Sequence, residues 1–126
     1  MRQAQVVVME PEEILAKSLR PELERVGWRL RSVREPSALF TILGEGADML
    51  IVKFGRDLIE EATMIERTHQ LFPETAIFAV LGESLPQLSG LLWDLGVQFV
   101  VAPPFTSLTL VELVNEWISV SRADKK

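Results

Sequence analysis

The chain contains no cysteine, which excludes disulfides, thiolate metal sites and a cysteine nucleophile. Histidine occurs once, as His69, with no companion residues that would make it a metal or catalytic centre. Basic residues are scarce: 13 Lys and Arg against 18 Asp and Glu leave a net charge of −5, with no positive cluster. That balance opposes binding to a phosphate backbone, so no nucleic-acid partner is expected. No apolar run approaches a membrane span, and the opening "MRQAQVVVME" lacks the hydrophobic region of a signal peptide. A cytoplasmic location without membrane contact is expected. Gly44, Gly46 and Gly55 do not form a phosphate-cradling fingerprint. No linker, low-complexity tract or long repeat interrupts the chain.

What remains suits a single folded domain of 126 residues, 48% of them hydrophobic and 25% charged. A core over about 5–120 is expected, with 121–126 as a tail or the start of a linker in a longer protein. The mean hydropathy of +0.19 is high for a lone domain and points towards a partner surface.

"QVVVM" (Gln5–Met9) is a continuous β-branched run and reads as a buried strand. The next segment, "EPEEILAKSLRPELERVG", has acidic residues placed for a helix's first turn. Ile14, Leu15, Leu19, Leu23 and Val26 are spaced as one face, and Gly27 ends it. Pro21 inside it predicts a kink within one helix rather than two helices. "WRLRSV" alternates like a less buried strand, and Pro36 fits the first turn of a short helix ending near Gly44. "DMLIVKF" is a third strand. A helix over 57–72 follows, with Leu58, Ala62, Ile65 and Phe72 as its stripe. "TAIFAVL" is a fourth strand. A helix over 84–95 turns Leu85, Leu88, Leu91, Leu92 and Leu95 inward. "VQFVVA" is the fifth strand, and Thr106 or Ser107 caps a last helix reaching about Val120.

Five β–α units with continuous apolar strands imply a parallel sheet covered on both faces. Right-handed crossovers favour the α/β, flavodoxin-like (βα)5 doubly wound sandwich, strand order 2-1-3-4-5. In that order Glu10 after the first strand should lie near Lys53 at the end of the third, where open α/β sheets bind ligands.

Three stretches, in order and at the right distances, carry a resemblance. "VVVMEPEE" stands the usual interval before Gly27–Trp28. "ADMLIVK" resembles "PDLVLLD", and "GVQFVVAPPF" resembles "GADDYLVKPF". On these residues the chain resembles the receiver domain of bacterial two-component response regulators over about Gln5 to Val120. The resemblance implies metal-assisted phosphoryl transfer to an aspartate. An acidic pair and the acceptor would hold Mg²⁺, and a hydroxyl and a lysine would contact the phosphoryl oxygens. Carried over position by position, the first acid is Glu10, the second falls on Pro11, and the acceptor falls on Lys53. The hydroxyl falls on Val80, and the lysine on Pro103. The rotating aromatic falls on Val100, with Phe99 one place earlier. Only Glu10 keeps a suitable group.

An ammonium at the acceptor position repels a cation and cannot form an acyl phosphate. The expectation is a pseudo-receiver: a degenerate pocket with no catalytic residue, no cofactor and no metal, and no enzyme activity. Glu10 and Lys53 would pair in place of the ion, with Glu12 as a second possible partner. Function would then lie in protein interaction. Family receivers use the face of the fourth helix, fifth strand and fifth helix for a protein partner or a homodimer. Trp93, Phe99, Val111, Leu113 and Ile118 are the candidates there, and Trp117 is assigned to the core. Two alternatives stay open. Asp57 could be a displaced phosphoacceptor rather than a helix cap, or the strand ends could bind a small effector. Ser84 reads as a helix cap. A cis Pro103–Pro104 bond would match the family's Lys–Pro bond.

Overall fold

The computed structural model describes residues 4–54, 57–81, 86–102 and 106–124, and the side-chain environments of 86–89, 107, 118 and 120–124 lie outside that description. Ten elements alternate: β1 (Gln5–Met9), α1 (Ile14–Arg25), β2 (Arg29–Val33), α2 (Pro36–Gly44), β3 (Met49–Phe54), α3 (Leu58–Leu71), β4 (Ala76–Leu81), α4 (Pro86–Asp94), β5 (Phe99–Val101) and α5 (Ser107–Asp124). All strand pairs are parallel, in the order β2-β1-β3-β4-β5. The expected doubly wound architecture is therefore the observed one. No helix among the described residues is long and apolar enough to cross a membrane.

Strand alternation sends successive side chains to opposite faces. Val6, Val8, Met49, Ile51, Phe78 and Val80 pack with α1 and α5. Val7, Met9, Leu50, Val52, Ile77 and Ala79 pack with α2, α3 and α4. The two layers explain why β1, β3 and β4 are apolar along their length.

Two helices end in the same device. At α1, Gly27 N–H donates to Glu24 O and Trp28 N–H to Leu23 O. At α4, Gly96 N–H donates to Trp93 O and Val97 N–H to Leu92 O. Both are Schellman caps, whose glycine adopts positive φ and whose next residue packs back on the helix. Here φ is 88° at Gly27 and 98° at Gly96, and Trp28–Leu23 and Val97–Leu92 are the buried apolar pairs.

Several local expectations are corrected. α1 begins at Ile14, after the acidic run, because Glu13 takes the left-handed conformation (φ 59°) and starts the helix from there. No acidic residue lies in its first turn. Its buried face is Leu15, Ala16, Leu19 and Leu23, while Ile14 and Val26 are exposed. The helix runs unbroken through Pro21, which sits on the solvent side with Lys17, whose carbonyl loses its intrahelical partner there. α3 buries Glu61, Met64, Ile65 and Thr68, and Leu58 is exposed. α4 buries Leu92 and exposes Leu91. α5 continues to Asp124 rather than stopping near Val120. Thr106 caps it, its Oγ1 accepting from Thr109 N–H at 3.1 Å. The expectations for Ser84 and the Pro103–Pro104 bond fall outside the described residues.

Candidate functional site

Register alone assembles one row across the carboxyl ends of the strands. Met9 pairs with Val33 and with Val52, so the next residues, Arg34, Glu10 and Lys53, are neighbours in that order. Lys53 pairs with Val80, and Val80 with Val101. The sequence expectation that Glu10 and Lys53 stand side by side is met by this register. The sites carried over to Pro11, Lys53 and Val80 therefore gather at one end of the sheet, and Pro103 lies outside the described residues.

The expected ion pair is not there. Glu10 is fully buried. Its Oε1 accepts from Ala16 N–H at 2.9 Å, and its Oε2 has no hydrogen-bond partner. Ala16 lies in the first turn of α1, where backbone N–H groups lack intrahelical acceptors. A carboxylate held by such a donor gains a charge-assisted bond, and it ties β1 to α1. Glu10 thus acts as a structural fastener, through the backbone and not through Lys53. The strand's N–H at Glu10 in turn donates to Val33 O at 3.1 Å.

Lys53 is half-buried and lines a cleft of about 200 Å³ with Pro11, Arg34, Asp57, Glu60 and Glu61, floored by Met9, Val52 and Met64. Arg34 closes one edge, its Nε donating to Pro11 O at 3.1 Å. Asp57 closes another as the N-cap of α3, Oδ1 accepting from Glu60 N–H at 3.1 Å. Val80 is buried in the middle of β4's packing and offers no hydroxyl.

The magnesium ion that the resemblance implies does not fit these residues. Mg²⁺ needs carboxylate oxygens placed for octahedral ligation. Glu10 has one oxygen engaged with α1, Pro11 has no side-chain ligand, and Lys53 brings a positive charge to the same row. Among the described residues no three His, Asp or Glu side chains group to hold a metal. Asp57, Glu60 and Glu61 lie on one helix end, and Asp57 is occupied as a cap.

The interface candidates separate. Trp93 is 51% exposed on α4. Phe99 and Leu113 are half-buried against the core on the α1/α5 side, and Phe99 stacks on Phe78 at 5.4 Å. Val111 is 5% exposed and belongs to the core. The apolar arc of α5 is broad because α1, β4 and β5 cover it from several sides. Trp117 is corrected in the other direction. It is 37% exposed, with one edge of its ring against Phe78. The side chain of Ile118 lies outside the described residues. Sequence reasoning missed Leu91 and Leu108, which are 48% and 53% exposed. His69 is an exposed residue whose ring sits over Gly96, where an added Cβ would meet its Cγ at 2.6 Å.

No protein-family model matches the chain, and no curated protein does. Solved structures match it closely in shape. A CheY-like response regulator receiver domain from Methanospirillum hungatei superposes with a TM-score of 0.85 at 16% identity, over 98% of this chain and 99% of that one. A response regulator from Thermotoga maritima gives 0.84 at 22% identity, over 94% and 99%. NtrX from Brucella abortus, solved with ADP, gives 0.83 at 12% identity, over 98% of this chain but 28% of that longer one. The fold is that of receiver domains.

Proposed function

We propose that this chain is a receiver-type regulatory module of a two-component system that works without phosphorylation and signals by binding a protein. One observation carries the reading: a lysine, Lys53, stands at the end of β3 in the row with Glu10 and Val80. Where a receiver needs a nucleophilic carboxylate, an ammonium offers no oxygen for phosphoryl transfer and opposes the ion that assists it. The remaining route to function is the surface. In this reading α4, β5 and α5 form the docking face, with the exposed Trp93 of α4 as its anchor, Leu91 of α4 and Leu108 of α5 as further exposed apolar side chains, and Phe99 and Leu113 half-buried on its α5 side. An exposed tryptophan supplies large apolar area at a small cost in conformational freedom. The whole described fold, through Asp124, acts as one unit in this reading, whether alone or joined to an effector.

The test is incubation with acetyl phosphate and Mg²⁺ followed by intact mass. The expected result is an unmodified chain, and no rise in melting temperature with beryllofluoride and Mg²⁺. A phosphoryl adduct overturns the reading. If it maps to Asp57, which is exposed and lines the cleft, the displaced-acceptor alternative takes its place.

A further inference from the structure

A groove between α2 and α3 adjoins the strand-end cleft, sharing Pro36, Asp57, Glu60 and Met64 with it, and extends along α3 over residues used by nothing above. It measures about 540 Å³ and is walled by Pro36 and Phe40 of α2 and by Ile59, Thr63, Met64 and Arg67 of α3, with Asp57 at the acidic end beside Glu60. Ile59 is 82% exposed, the most exposed large apolar side chain among the described residues. Glu60 and Arg67 stand at the two ends of the same wall, about two helical turns apart and so on one face. Both are exposed, and among the described residues neither makes an ion pair. Thr63, between them, folds its hydroxyl back onto Ile59 O at 2.8 Å, which keeps the middle of the wall low.

We propose that this groove binds a second copy of the chain, α3 against α3 in antiparallel sense about a two-fold axis near Thr63. A surface pairs with itself only if each feature finds its complement under the rotation. Here a projecting Ile59 lies beside a groove that can receive it. Glu60 would meet the partner's Arg67, and Arg67 the partner's Glu60. Parallel packing would set Glu60 against the partner's Glu60, and like charges in apposition reject that arrangement. A uniformly charged peptide would gain at one end of the groove and lose at the other. The low centre at Thr63 lets the two helices approach. Glu60 and Met64 also line the strand-end cleft, but the proposal draws on no chemistry at Lys53 and not on the Trp93 face.

Sedimentation equilibrium of the intact chain over a concentration series at low salt tests it. The expected mass climbs from 14.2 kDa towards twice that value. Glu60→Arg and Arg67→Glu should each weaken association by about tenfold, since each changes both symmetric pairs. The double reversal should restore it, and added salt should weaken it. The chain has no cysteine, so a Thr63→Cys variant should give a single disulfide-linked dimer on oxidation. Trp93→Glu should leave self-association unchanged. A monomer at every concentration overturns the proposal. So does a dimer insensitive to both single reversals, or one abolished by Trp93→Glu.

Discussion

Gly96 and Gly27 allow a paired experiment that separates backbone strain from crowding. Both close a helix at positive φ, 98° and 88°. A Cβ at Gly27 would meet nothing within 4 Å, whereas one at Gly96 would meet His69 Cγ, Nδ1 and Cδ2 at 2.6, 2.7 and 2.9 Å. Replacing either glycine by alanine costs the left-handed penalty, about 1–2 kcal/mol. Gly96→Ala adds an overpacking cost of about 1–3 kcal/mol. Cγ is the first ring atom, so relief requires the whole imidazole to turn away from its place over Gly96. The total for Gly96→Ala is then about 2–5 kcal/mol. At about 3–5 °C per kcal/mol for a chain of this size, that lowers the melting temperature by roughly 6–25 °C, against roughly 3–10 °C for Gly27→Ala. Urea denaturation followed by tryptophan fluorescence and circular dichroism reads both values. In a His69→Ala background the ring is gone, so Gly96→Ala should fall to the Gly27→Ala value. The coupling between positions 69 and 96 would then be about 1–3 kcal/mol. Equal costs for the two glycine variants in the wild-type background, or an undiminished Gly96→Ala cost without the imidazole, would refute the reasoning.

Three further perturbations address the strand ends. Lys53→Met should change stability by less than about 0.5 kcal/mol, because no ion pair with Glu10 is lost; chemical denaturation checks this, and a loss of about 3–5 kcal/mol would reinstate the buried pair. Glu10→Ala should cost about 2–3 kcal/mol by stranding the buried Ala16 N–H. Glu10→Gln, which keeps an acceptor for that N–H, should cost less than about 1 kcal/mol by the same measurement. Asp57→Ala should cost about 1 kcal/mol through loss of the α3 cap, and hydrogen exchange of the Glu60 amide should speed up.

The architecture was legible because the strands announce themselves. Val6–Val8, Leu50–Val52 and Ile77–Ala79 are apolar on both faces, and only a sheet covered on both sides accepts such runs. Register followed from topology, which brought Glu10 beside Lys53. What the two side chains do there was not legible. The carboxylate had a rival cation and a rival amide, and the outcome turns on where α1 begins. The acidic run suggested a start several residues too early. Glu13 sets the true start at Ile14, and that start delivers Ala16 N–H to Glu10. Helix faces failed for a related reason. On α3 the buried side includes Glu61, a charged residue that no hydrophobic stripe would nominate. On α4 and α5 the true faces are rotated relative to the leucine pattern, so Leu91 turned outward and Val111 inward. Trp93 stands off the Leu88–Leu92–Leu95 stripe in the sequence, and a small error of rotation does not bring it inward.

The hold of α1 on Glu10 also bears on whether a carboxylate centre could be built at these strand ends. Lys53→Asp by itself would set a new carboxylate next to a buried one already committed to a helix amide. Pro11 would lend no oxygen to a metal between them. Two anions would then sit side by side, and like charges at that distance would make the variant less stable than the natural chain. A metal-holding pair of carboxylates here therefore requires three changes together: Glu10 re-aimed away from Ala16 N–H, Pro11 replaced by a ligand, and Lys53 replaced by an acid.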